Sequence, residues 1–312
     1  MTQPILSSNG VHRLHHTFYT PKDSVKATLL IVHGMCEHSG RYEKFAKFLA
    51  DNGILVATYD QLGHGRTVKD KYELGFIDEK HPVQALCKDV IIMADKLKEL
   101  APDVPHFIMG HSMGSFVVRT VLTHHASRFD GAILMGTADS TNLLGKLATP
   151  ALSLLNRLSP KAHNQTIAAL LNDSLLGQLR SPISPSPFAW LAENTDAIKA
   201  FEADALCGFT FSNNGFFTLS ALMKKACDDG WFAHFPANFG VLLISGKDDP
   251  VGNMGQDIPH LHDKLLAKTK AHIQSHLYVN MRHEILQETN HAQVFNDVLK
   301  WLNAHIERTH IK

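Results

Sequence analysis

The sequence predicts an α/β protein in which helices flank a mostly parallel sheet and a helical cap, or lid, is inserted. Three observations support this prediction. Short apolar runs alternate with amphipathic segments along most of the chain, as buried strands alternate with helices in parallel sheets. One apolar run passes directly into a helical pattern at a turn rich in small residues. About a hundred residues then follow in which no buried strand is evident.

The first elements can be read in order from the N-terminal part of the chain. The stretch "VHRLHHTFY" alternates like a strand, "ATLLIVHG" is a buried run, "SGRYEKFAKFLADNG" is helical and "ILVATYD" is again a strand. We expect further strands at 104–109, 131–136, 240–245 and 276–280, and further helices near 82–100, 114–126, 257–270 and 287–307. Parallel strands end at one edge of a sheet, so a binding site is expected there.

A long insertion interrupts this rhythm between "GAILMGTAD" and "FGVLLISGKDD". It contains the leucine-rich amphipathic segments "NLLGKLATPALSLLNRL" and "QTIAALLNDSLLGQL", the Pro/Ser breaker "RSPISPSP" and a helical stretch through "LMKKACDD". We therefore predict a core formed by 1–139 and 237–312, with a cap or lid at 140–236 over the strand ends. A helical subdomain that only adds core is the alternative.

Charge and hydropathy exclude several classes of protein. Thirty basic residues balance thirty acidic ones, and no basic run offers a surface for nucleic acid. No apolar stretch approaches the roughly eighteen residues of a membrane span, and the first residues lack the features of a signal peptide. We expect a soluble, cytoplasmic protein. Transient membrane contact through the cap and the oligomeric state remain open.

Cysteine and histidine patterns give no indication of a metal centre. The cysteines lack C-x-x-C spacing, so free thiols in a reducing compartment are expected at Cys36, Cys87, Cys207 and Cys227. The pairs His260/His262 and His272/His276 could each share a face, but neither has a third ligand on an adjacent element. We expect no metal and no other cofactor.

The turn at residues 110–114 carries the clearest functional pattern. Gly110-His111-Ser112-Met113-Gly114 matches G-x-S-x-G between a strand and a helix, the context in which a serine is raised as a nucleophile. A side chain at either glycine would collide with the neighbouring strand or helix. Because the motif also occurs by chance, an ordinary strand-to-helix turn is the alternative, and other residues must decide.

A nucleophilic serine needs a base, and the base needs an acid to orient it. The segment "LLISGKDDPVG" places Asp248 and Asp249 just past a buried strand. His283 follows the next strand, in the loop before the last helix. His276 and His291 are competitors, but we expect the first to begin a strand and the second to lie in a helix. Loops at strand ends are where catalytic residues concentrate.

The reaction of such a serine also requires donors for the oxyanion. The backbone N–H of Met113, directly after the serine, is one candidate, and the N–H of Met35 in "HGMCEHSG" is the other. The two methionine side chains could also line an apolar, adaptable pocket, although simple loop packing would account for them equally well.

Five spaced motifs together resemble a known family. "HGMCEHSGRY", "YDQLGHGRT", "GHSMGS", "GKDDPV" and "MRHE" look like the monoacylglycerol lipase and bacterial lysophospholipase-like group of serine α/β-hydrolases. The insertion adds "WLAENTDAIKAFEADALCGFTF", which is similar to the cap of the bacterial members. The resemblance runs from about residue 11 to 305. It implies the α/β-hydrolase fold.

The resemblance also implies roles for individual residues. Ser112 corresponds to the nucleophile, Asp249 to the acid, His283 to the base, and Met35 and Met113 to the oxyanion donors. Glu37 and Arg41 match positions near the polar end of the site in lipase members. This chain departs from the family pattern at Cys36, where glycine is common, and at Thr67, where serine often follows Gly-His-Gly.

The function expected from these residues is cleavage of carboxylic esters through an acyl-enzyme intermediate. A leucine-, phenylalanine- and methionine-rich cap favours a lipid substrate such as a monoacylglycerol or a lysophospholipid. The alternatives are a proline iminopeptidase-like peptidase and a noncatalytic binding protein of the same fold. Gly63-His64-Gly65 is interpreted as a structural turn at the sheet edge.

Overall fold

A computed structural model describes residues 4–139, 150–179 and 184–310. A seven-stranded sheet forms its centre, with helices before, between and after the strands. The strands are β1 (His16–Tyr19), β2 (Ala27–Val32), β3 (Ile54–Tyr59), β4 (His106–His111), β5 (Gly131–Met135), β6 (Gly240–Gly246) and β7 (His272–Tyr278). The helices are α1 (Glu43–Asp51), α2 (Pro82–Leu100), α3 (Met113–His125), α4 (Pro150–Leu158), α5 (Gln165–Leu176), α6 (Thr195–Ala203), α7 (Asn213–Ala226), α8 (Asp257–Lys268) and α9 (His291–His310).

The strand order in the sheet is β1-β3-β2-β4-β5-β6-β7. Only β1 is antiparallel to its neighbour, and the other strands run parallel with continuous register from β3 to β7. The carboxyl ends of β2, β4, β5, β6 and β7 therefore meet at one edge. The predicted α/β-hydrolase fold, with a mostly parallel sheet flanked by helices, is confirmed.

Hydrophobic cores cover both faces of the sheet. Along β2 the side chains alternate between them, so that Leu29 and Ile31 belong to one core and Leu30 and Val32 to the other. The first core is closed by apolar residues of α1 and α9, and the second by α2, α3 and α8. Burial on both faces explains why β2 and β3 are continuous apolar runs rather than alternating ones.

Element boundaries differ from expectation mainly at the sheet edges. The last strand spans His272–Tyr278 rather than 276–280, because an edge strand is exposed and its first residues are polar. The final helix begins at His291 instead of 287. Within the alternating stretch from residue 11, only His16–Tyr19 joins the sheet. In the two strands the apolar pattern was a poor guide, because their backbone pairing involves residues with polar side chains.

The insertion between β5 and β6 is helical where the structure describes it. Helix α4 covers the end of the first leucine-rich segment, whose residues 142–149 lie outside the described ranges. Helix α5 coincides with the second segment, and α7 ends in "LMKKA". Residues 180–183 of the predicted breaker also lie outside the described ranges. No helix among the described residues is long and apolar enough to cross a membrane.

Candidate active site

Ser112 occupies the junction between β4 and α3. Its backbone has φ 52° and ψ −121°, a conformation that costs a non-glycine residue conformational energy. The turn is fixed by backbone hydrogen bonds on both sides: Ser112 N donates to Met135 O at 2.9 Å, and Ser115 N donates to Ser112 O at 2.8 Å. The side chain is partly exposed at the carboxyl edge of the sheet, in the position expected for a nucleophile elbow.

The two glycines of the motif are required by close backbone contacts. A Cβ on Gly110 would lie 2.4 Å from the carbonyl oxygen of Gly114, at the start of α3. A Cβ on Gly114 would lie 2.1 Å from the carbonyl oxygen of Val32, at the end of β2. Both collisions are with backbone atoms, which cannot rotate away. The predicted reason for small residues on either side of Ser112 agrees with this geometry.

His283 and Asp249 form a buried pair at the same edge of the sheet. His283 Nδ1 donates to Oδ1 and Oδ2 of Asp249, each at 3.0 Å. The carboxylate also accepts hydrogen bonds from Ser245 Oγ at 2.6 Å and from Val251 N at 2.9 Å. Because a carboxylate can only accept, Nδ1 carries the proton, which leaves Nε2 as the acceptor.

The surroundings of the acid distinguish Asp249 from Asp248. Burial raises the pKa of Asp249, but His283, Ser245 and the Val251 N–H outweigh burial and lower it below its usual value. The carboxylate is therefore ionised at neutral pH. Asp248 is partly exposed, and its backbone N–H donates to Met281 O at 3.1 Å.

The second nitrogen of His283 is buried and has no hydrogen-bond partner in the part of the chain that the structure describes. The imidazole ring is held on several sides. Trp190 packs on it with ring centroids 5.2 Å apart, and His111 lies 4.7 Å away. Gly136, with φ 57°, has no room for a Cβ, which would lie 2.9 Å from the His283 ring. An unpaired acceptor on a fixed ring can take a proton from a hydroxyl group.

The two competing histidines lie elsewhere. His276 is exposed in the middle of β7, where its ring packs against Tyr278, so the expectation that it begins the strand is wrong. His291 begins α9, with Nδ1 donating to Glu288 O at 2.6 Å and Nε2 2.7 Å from the ammonium group of Lys44.

Ser112 lies where two cavities adjoin. The main cavity, of about 170 Å³, has a polar end formed by Glu37, His111, His283 and Glu284. The apolar branch, of about 50 Å³, is walled by apolar side chains apart from Ser112 itself. Its walls include Phe116, Leu175, Leu219, Met223 and Val251.

Met35 and Met113 flank the serine in these cavities. The Met35 side chain lines both cavities, and Met113 lines the apolar branch. Gly34, the residue before Met35, approaches so closely that a Cβ on it would lie 3.2 Å from Ser112 Cβ. The loop after β2 and the first residue of α3 thus come together on one side of Ser112.

Glu37 and Arg41 belong to a buried charged network. The Oε1 atom of Glu37 accepts hydrogen bonds from Gly34 N at 2.5 Å and Tyr42 OH at 2.8 Å, and lies 3.0 Å from His111 Nδ1. Arg41 Nε lies 3.2 Å from the other oxygen, Oε2. Burial raises the pKa of Glu37, but His111 and Arg41 lower it far below its usual value. Arg41 also pairs with Glu284 at 2.5 Å.

Sequence reasoning missed three members of this network: Tyr42, His111 and Glu284. His111 lies inside the serine motif and Glu284 follows His283, so adjacency was the available signal. His111 Nε2 lies 3.3 Å from the backbone carbonyl of His283. The network therefore connects the serine turn with the histidine loop.

The insertion contributes directly to the position of the histidine loop. Glu284 N donates to Leu191 O at 2.7 Å. Glu288 accepts hydrogen bonds from Glu193 N, Asn194 N and Arg282 N at 2.8–3.0 Å. These contacts fall on "WLAEN", within the segment that resembles the bacterial caps.

The turn Gly63-His64-Gly65 has the expected structural character. Both glycines have positive φ, and a Cβ on Gly63 would lie 2.4 Å from Phe76 O. His64 is buried, with Nδ1 donating to Leu62 O at 2.9 Å and its ring packed edge-on against Phe209 and Phe211. Burial lowers the pKa of His64 to about 3, so the ring is neutral.

Several known proteins are similar to this chain over part or all of its length. It is 32% identical over 145 residues to the "Monoglyceride lipase homolog" of Monkeypox virus, which is 46% of this chain and 50% of that protein. With "Monoglyceride lipase" of Mus musculus it shares 29% identity over 171 residues, or 53% and 52%. The chain thus spans about half the length of these curated relatives. "Monoacylglycerol lipase" of Mycolicibacterium smegmatis matches over 95% of both chains at 22% identity.

Solved structures match over almost the whole chain. A thermostable carboxyl esterase from Bacillus coagulans, in complex with glycerol, superposes with a TM-score of 0.89 at 25% identity, covering 98% of each chain. A soluble variant of the monoglyceride lipase of Saccharomyces cerevisiae shares the fold, with a TM-score of 0.73 at 21% identity over 98% and 96% of the two chains. A family model described as serine aminopeptidase, S33 (Hydrolase_4) matches residues 23–290. The chain resembles monoacylglycerol lipases, and it belongs to this S33 family of α/β-hydrolases.

Proposed function

We propose that this protein hydrolyses carboxylic esters with Ser112 as nucleophile, His283 as base and Asp249 as the acid that orients it. One observation carries the proposal. The Nδ1 atom of His283 is committed to both oxygens of Asp249, while the buried Nε2 has no partner in the described part of the chain and its ring lines the same cavity as Ser112. The base is thus prepared for one proton donor at that nitrogen.

In the proposed reaction Ser112 Oγ attacks the ester carbonyl and its proton passes to His283 Nε2. Asp249 stabilises the imidazolium without taking the proton. The oxyanion accepts hydrogen bonds from the N–H groups of Met35 and Met113. His283 then protonates the leaving alcohol, which leaves an acyl-enzyme. A water molecule that gives its proton to the same nitrogen releases the acid and restores Ser112.

The cavities favour an ester with an acyl chain and a polar alcohol. The wholly apolar wall of the branch beside Ser112 suits a hydrocarbon chain, and the polar end of the main cavity suits hydroxyl groups. This division fits a monoacylglycerol or a lysophospholipid. The relatives named monoacylglycerol lipase and the esterase structure with glycerol support this substrate class.

We further propose that residues 140–236 act as a cap on a core formed by 1–139 and 237–312. Leu171 and Asn172 of α5, Trp190 before α6 and Phe216 of α7 all line the main cavity. A substrate would therefore contact the cap and the core at once. The insertion also has a structural role. The contacts of "WLAEN" with the histidine loop support His283 from outside the sheet.

A peptidase is the alternative that the family description raises. An aminopeptidase needs a carboxylate to bind the substrate ammonium group. Among the described residues that line the main cavity, the carboxylates are Glu37 and Glu284, and Arg41 pairs with both. An ammonium group would have to displace this arginine, so ester hydrolysis is favoured.

The experiment measures hydrolysis of p-nitrophenyl esters from acetate to palmitate by the wild type and by Ser112→Ala. We expect a maximum at medium or long chains and a loss of about 10⁵-fold or more in the variant, because the nucleophilic oxygen is removed. Folding should be unaffected, since Ser112 lies at a partly exposed turn.

Two results would contradict the proposal. Activity that survives in Ser112→Ala would exclude this serine as nucleophile. A folded wild type that cleaves no ester and resists labelling by a fluorophosphonate would indicate a binding protein, whereas cleavage of aminoacyl arylamides alone would indicate the peptidase.

A further inference from the structure

Three residues with metal-ligating side chains meet outside the candidate active site. His38 lies in the loop after β2, whereas Asp204 and Cys207 follow α6 in the insertion. One potential ligand atom from each, a ring nitrogen, a carboxylate oxygen and a thiol sulfur, lies within 4.8 Å of the other two. His38 Nε2 is already 2.9 Å from Asp204 Oδ2. None of these three takes part in the proposed ester hydrolysis.

The backbone holds the two insertion residues side by side. Cys207 N donates to Asp204 O at 2.9 Å, which closes a turn over residues 204–207. Leu206 N donates to Asp204 Oδ1 at 2.8 Å and so orients the carboxylate, with Oδ2 directed at His38. Burial raises the pKa of Asp204, but the hydrogen bonds from His38 and Leu206 outweigh it and lower the pKa, so the carboxylate is ionised.

We propose that His38, Asp204 and Cys207 bind a single zinc ion. Imidazole nitrogen, carboxylate oxygen and thiolate sulfur are the ligands that Zn²⁺ takes in proteins, with bonds of about 2.0–2.3 Å. Tetrahedral angles at such bonds place ligand atoms roughly 3.3–3.8 Å apart. The ligand atoms, which lie within 4.8 Å of one another, must approach by up to about 1 Å where Cys207 is involved, whereas the 2.9 Å contact between His38 Nε2 and Asp204 Oδ2 must lengthen by about 0.4 Å. A fourth position is accessible to solvent water, because His38 and Asp204 are partly exposed, with 17% and 35% of their side chains accessible.

Zinc binding requires two changes of protonation. The Cys207 thiol loses its proton to solvent as the Zn–S bond forms. Burial raises the pKa of Cys207, although Arg41 opposes this, and a bound zinc ion deprotonates such a thiol outright. The proton on His38 Nε2 moves through solvent to Nδ1 as the Nε2–Zn bond forms, so the ring stays neutral. Gly40 N then gives up its 3.2 Å bond to Nδ1 at an exposed position, where water replaces it.

A zinc ion at this place would join two segments that border the cavity. Met35 and Cys36, close before His38, line the main cavity from the core side, and Gly208 and Phe209 line it from the insertion. The segments already meet through one backbone bond, Gly208 N to Cys36 O at 2.9 Å. Zinc adds a second connection between the loop after β2 and the segment after α6. It therefore restrains the insertion against the core.

Binding is tested on the full-length protein, stripped of metal and kept reduced, by competition with a chromophoric chelator for Zn²⁺. We expect one zinc ion per chain, and about 100-fold weaker binding or worse in His38→Ala, Cys207→Ser and Asp204→Asn, since even indirect partners of metal ligands cost 10–100-fold. The matched controls are Cys227→Ser, a thiol just after α7, and His262→Ala, whose ring nitrogen lies 3.1 Å from the Asp263 carboxylate. Both should bind like the wild type.

Cobalt gives a readout that a structural role of Cys207 would not produce. Co²⁺ in place of zinc should show a sulfur-to-cobalt charge-transfer band, and Cys207→Ser should abolish it while Cys227→Ser keeps it. Because Cys207 is buried, its variant is first checked for folding by circular dichroism. If Cys207→Ser does not fold, Asp204→Asn, which changes a more exposed side chain, is used to test the affinity for zinc.

Two outcomes would overturn the proposal. Zinc that binds equally to the wild type, Asp204→Asn and His38→Ala would be adventitious binding by other histidines of the chain. A stoichiometry well below one, or a cobalt spectrum without the thiolate band, would leave the cluster as a hydrogen-bonded pair beside a packed cysteine. Neither readout depends on ester hydrolysis, so this proposal and the proposed function can fail separately.

Discussion

Two histidine–aspartate pairs lie on the same side of this molecule, and their contacts are nearly identical. His283 Nδ1 lies 3.0 Å from the Asp249 carboxylate, and His38 Nε2 lies 2.9 Å from that of Asp204. Their surroundings differ. The first pair is at most 1% exposed, whereas the second is 17% and 35% exposed. Distance alone therefore says little about what such a pair can do.

Burial and additional hydrogen bonds separate the two. Asp249 accepts bonds from Ser245 and Val251 as well as from His283, so its orientation is fixed and its charge is retained in a dry site. Asp204 is partly exposed to solvent, which weakens the attraction between the two side chains. The same side chains suit proton transfer in one place and metal binding in the other.

The largest expected effect comes from breaking the buried pair. Asp249→Asn should lower the kcat for ester hydrolysis by about 10⁴-fold, because an amide neither fixes the required tautomer of His283 nor stabilises its charged form. Steady-state kinetics on the best p-nitrophenyl ester would measure this.

Asp248→Asn is the matched control, since it makes the same change one residue away on a partly exposed side chain. We expect it to retain activity within a few-fold. A larger loss in Asp248→Asn than in Asp249→Asn would reassign the acid.

A buried histidine without a carboxylate partner should show a third behaviour. Burial lowers the pKa of His64 from 6.5 to about 3, so between these pH values the unfolded chain binds one more proton than the folded chain. The free energy of unfolding should therefore rise with pH by about 1.4 kcal/mol per unit from this group, and stability is lost as the pH falls below 6.5.

The variant His64→Asn removes this titration while keeping a polar side chain. Denaturant unfolding is measured at pH 5 and pH 6. Between these two values, the free energy of unfolding of the variant should rise less steeply with pH than that of the wild type, by the equivalent of about one proton. This difference is expected whatever stability the variant loses overall. Equal slopes in the two proteins would show that folding does not change the protonation of His64, contrary to the prediction.

Removing one of the hydrogen bonds that support Asp249 should have a smaller effect. Ser245→Ala eliminates the 2.6 Å bond to Oδ2 but leaves His283 and Val251 in contact with the carboxylate. We expect kcat to fall by about 10-fold, the equivalent of one hydrogen bond to a charged group, with KM little changed. Rescue by Ser245→Thr, which restores a hydroxyl, would distinguish orientation of the acid from general damage. An unaltered kcat in Ser245→Ala would show that two contacts suffice.

The partly exposed pair of His38 and Asp204 should contribute least to stability. In the presence of a chelator, Asp204→Asn should lower the free energy of unfolding by less than about 1 kcal/mol, as is typical of exposed ion pairs. Glu43→Gln, which breaks the exposed pair with Lys47, is the reference. A loss of several kcal/mol for Asp204 alone would mean that its charge is shielded from water, contrary to its exposure.

Much of the architecture could be predicted because it depends on local patterns. β2 and β3 are apolar runs buried on both faces. The turn at Ser112 is recognisable in the sequence by two glycines, which close backbone contacts require. The edges were predicted less well. The start of β7 was missed because an edge strand gains its order from backbone pairing with β6 and needs no apolar side chains.

The candidate site divides in the same way. Chain order and position at strand ends were enough to select Ser112, His283 and an acid after β6. The connection of Arg41 to Glu284 could not be foreseen, because the two residues pair across 243 residues of sequence, whereas Glu37 and Arg41 are close neighbours in the chain.

The sequence by itself determined the alternation of strands and helices, the turn that holds Ser112 and the order in which its candidate partners follow, since each depends on neighbouring residues or on the carboxyl ends of parallel strands. Only the tertiary structure decided which aspartate meets His283 and that Trp190 packs on its ring. It also brought His38 to Asp204, 166 residues away in the chain, and to the neighbouring Cys207. These contacts depend on how the insertion packs over the sheet. Packing between segments that are distant in the chain produces no periodic pattern in the sequence.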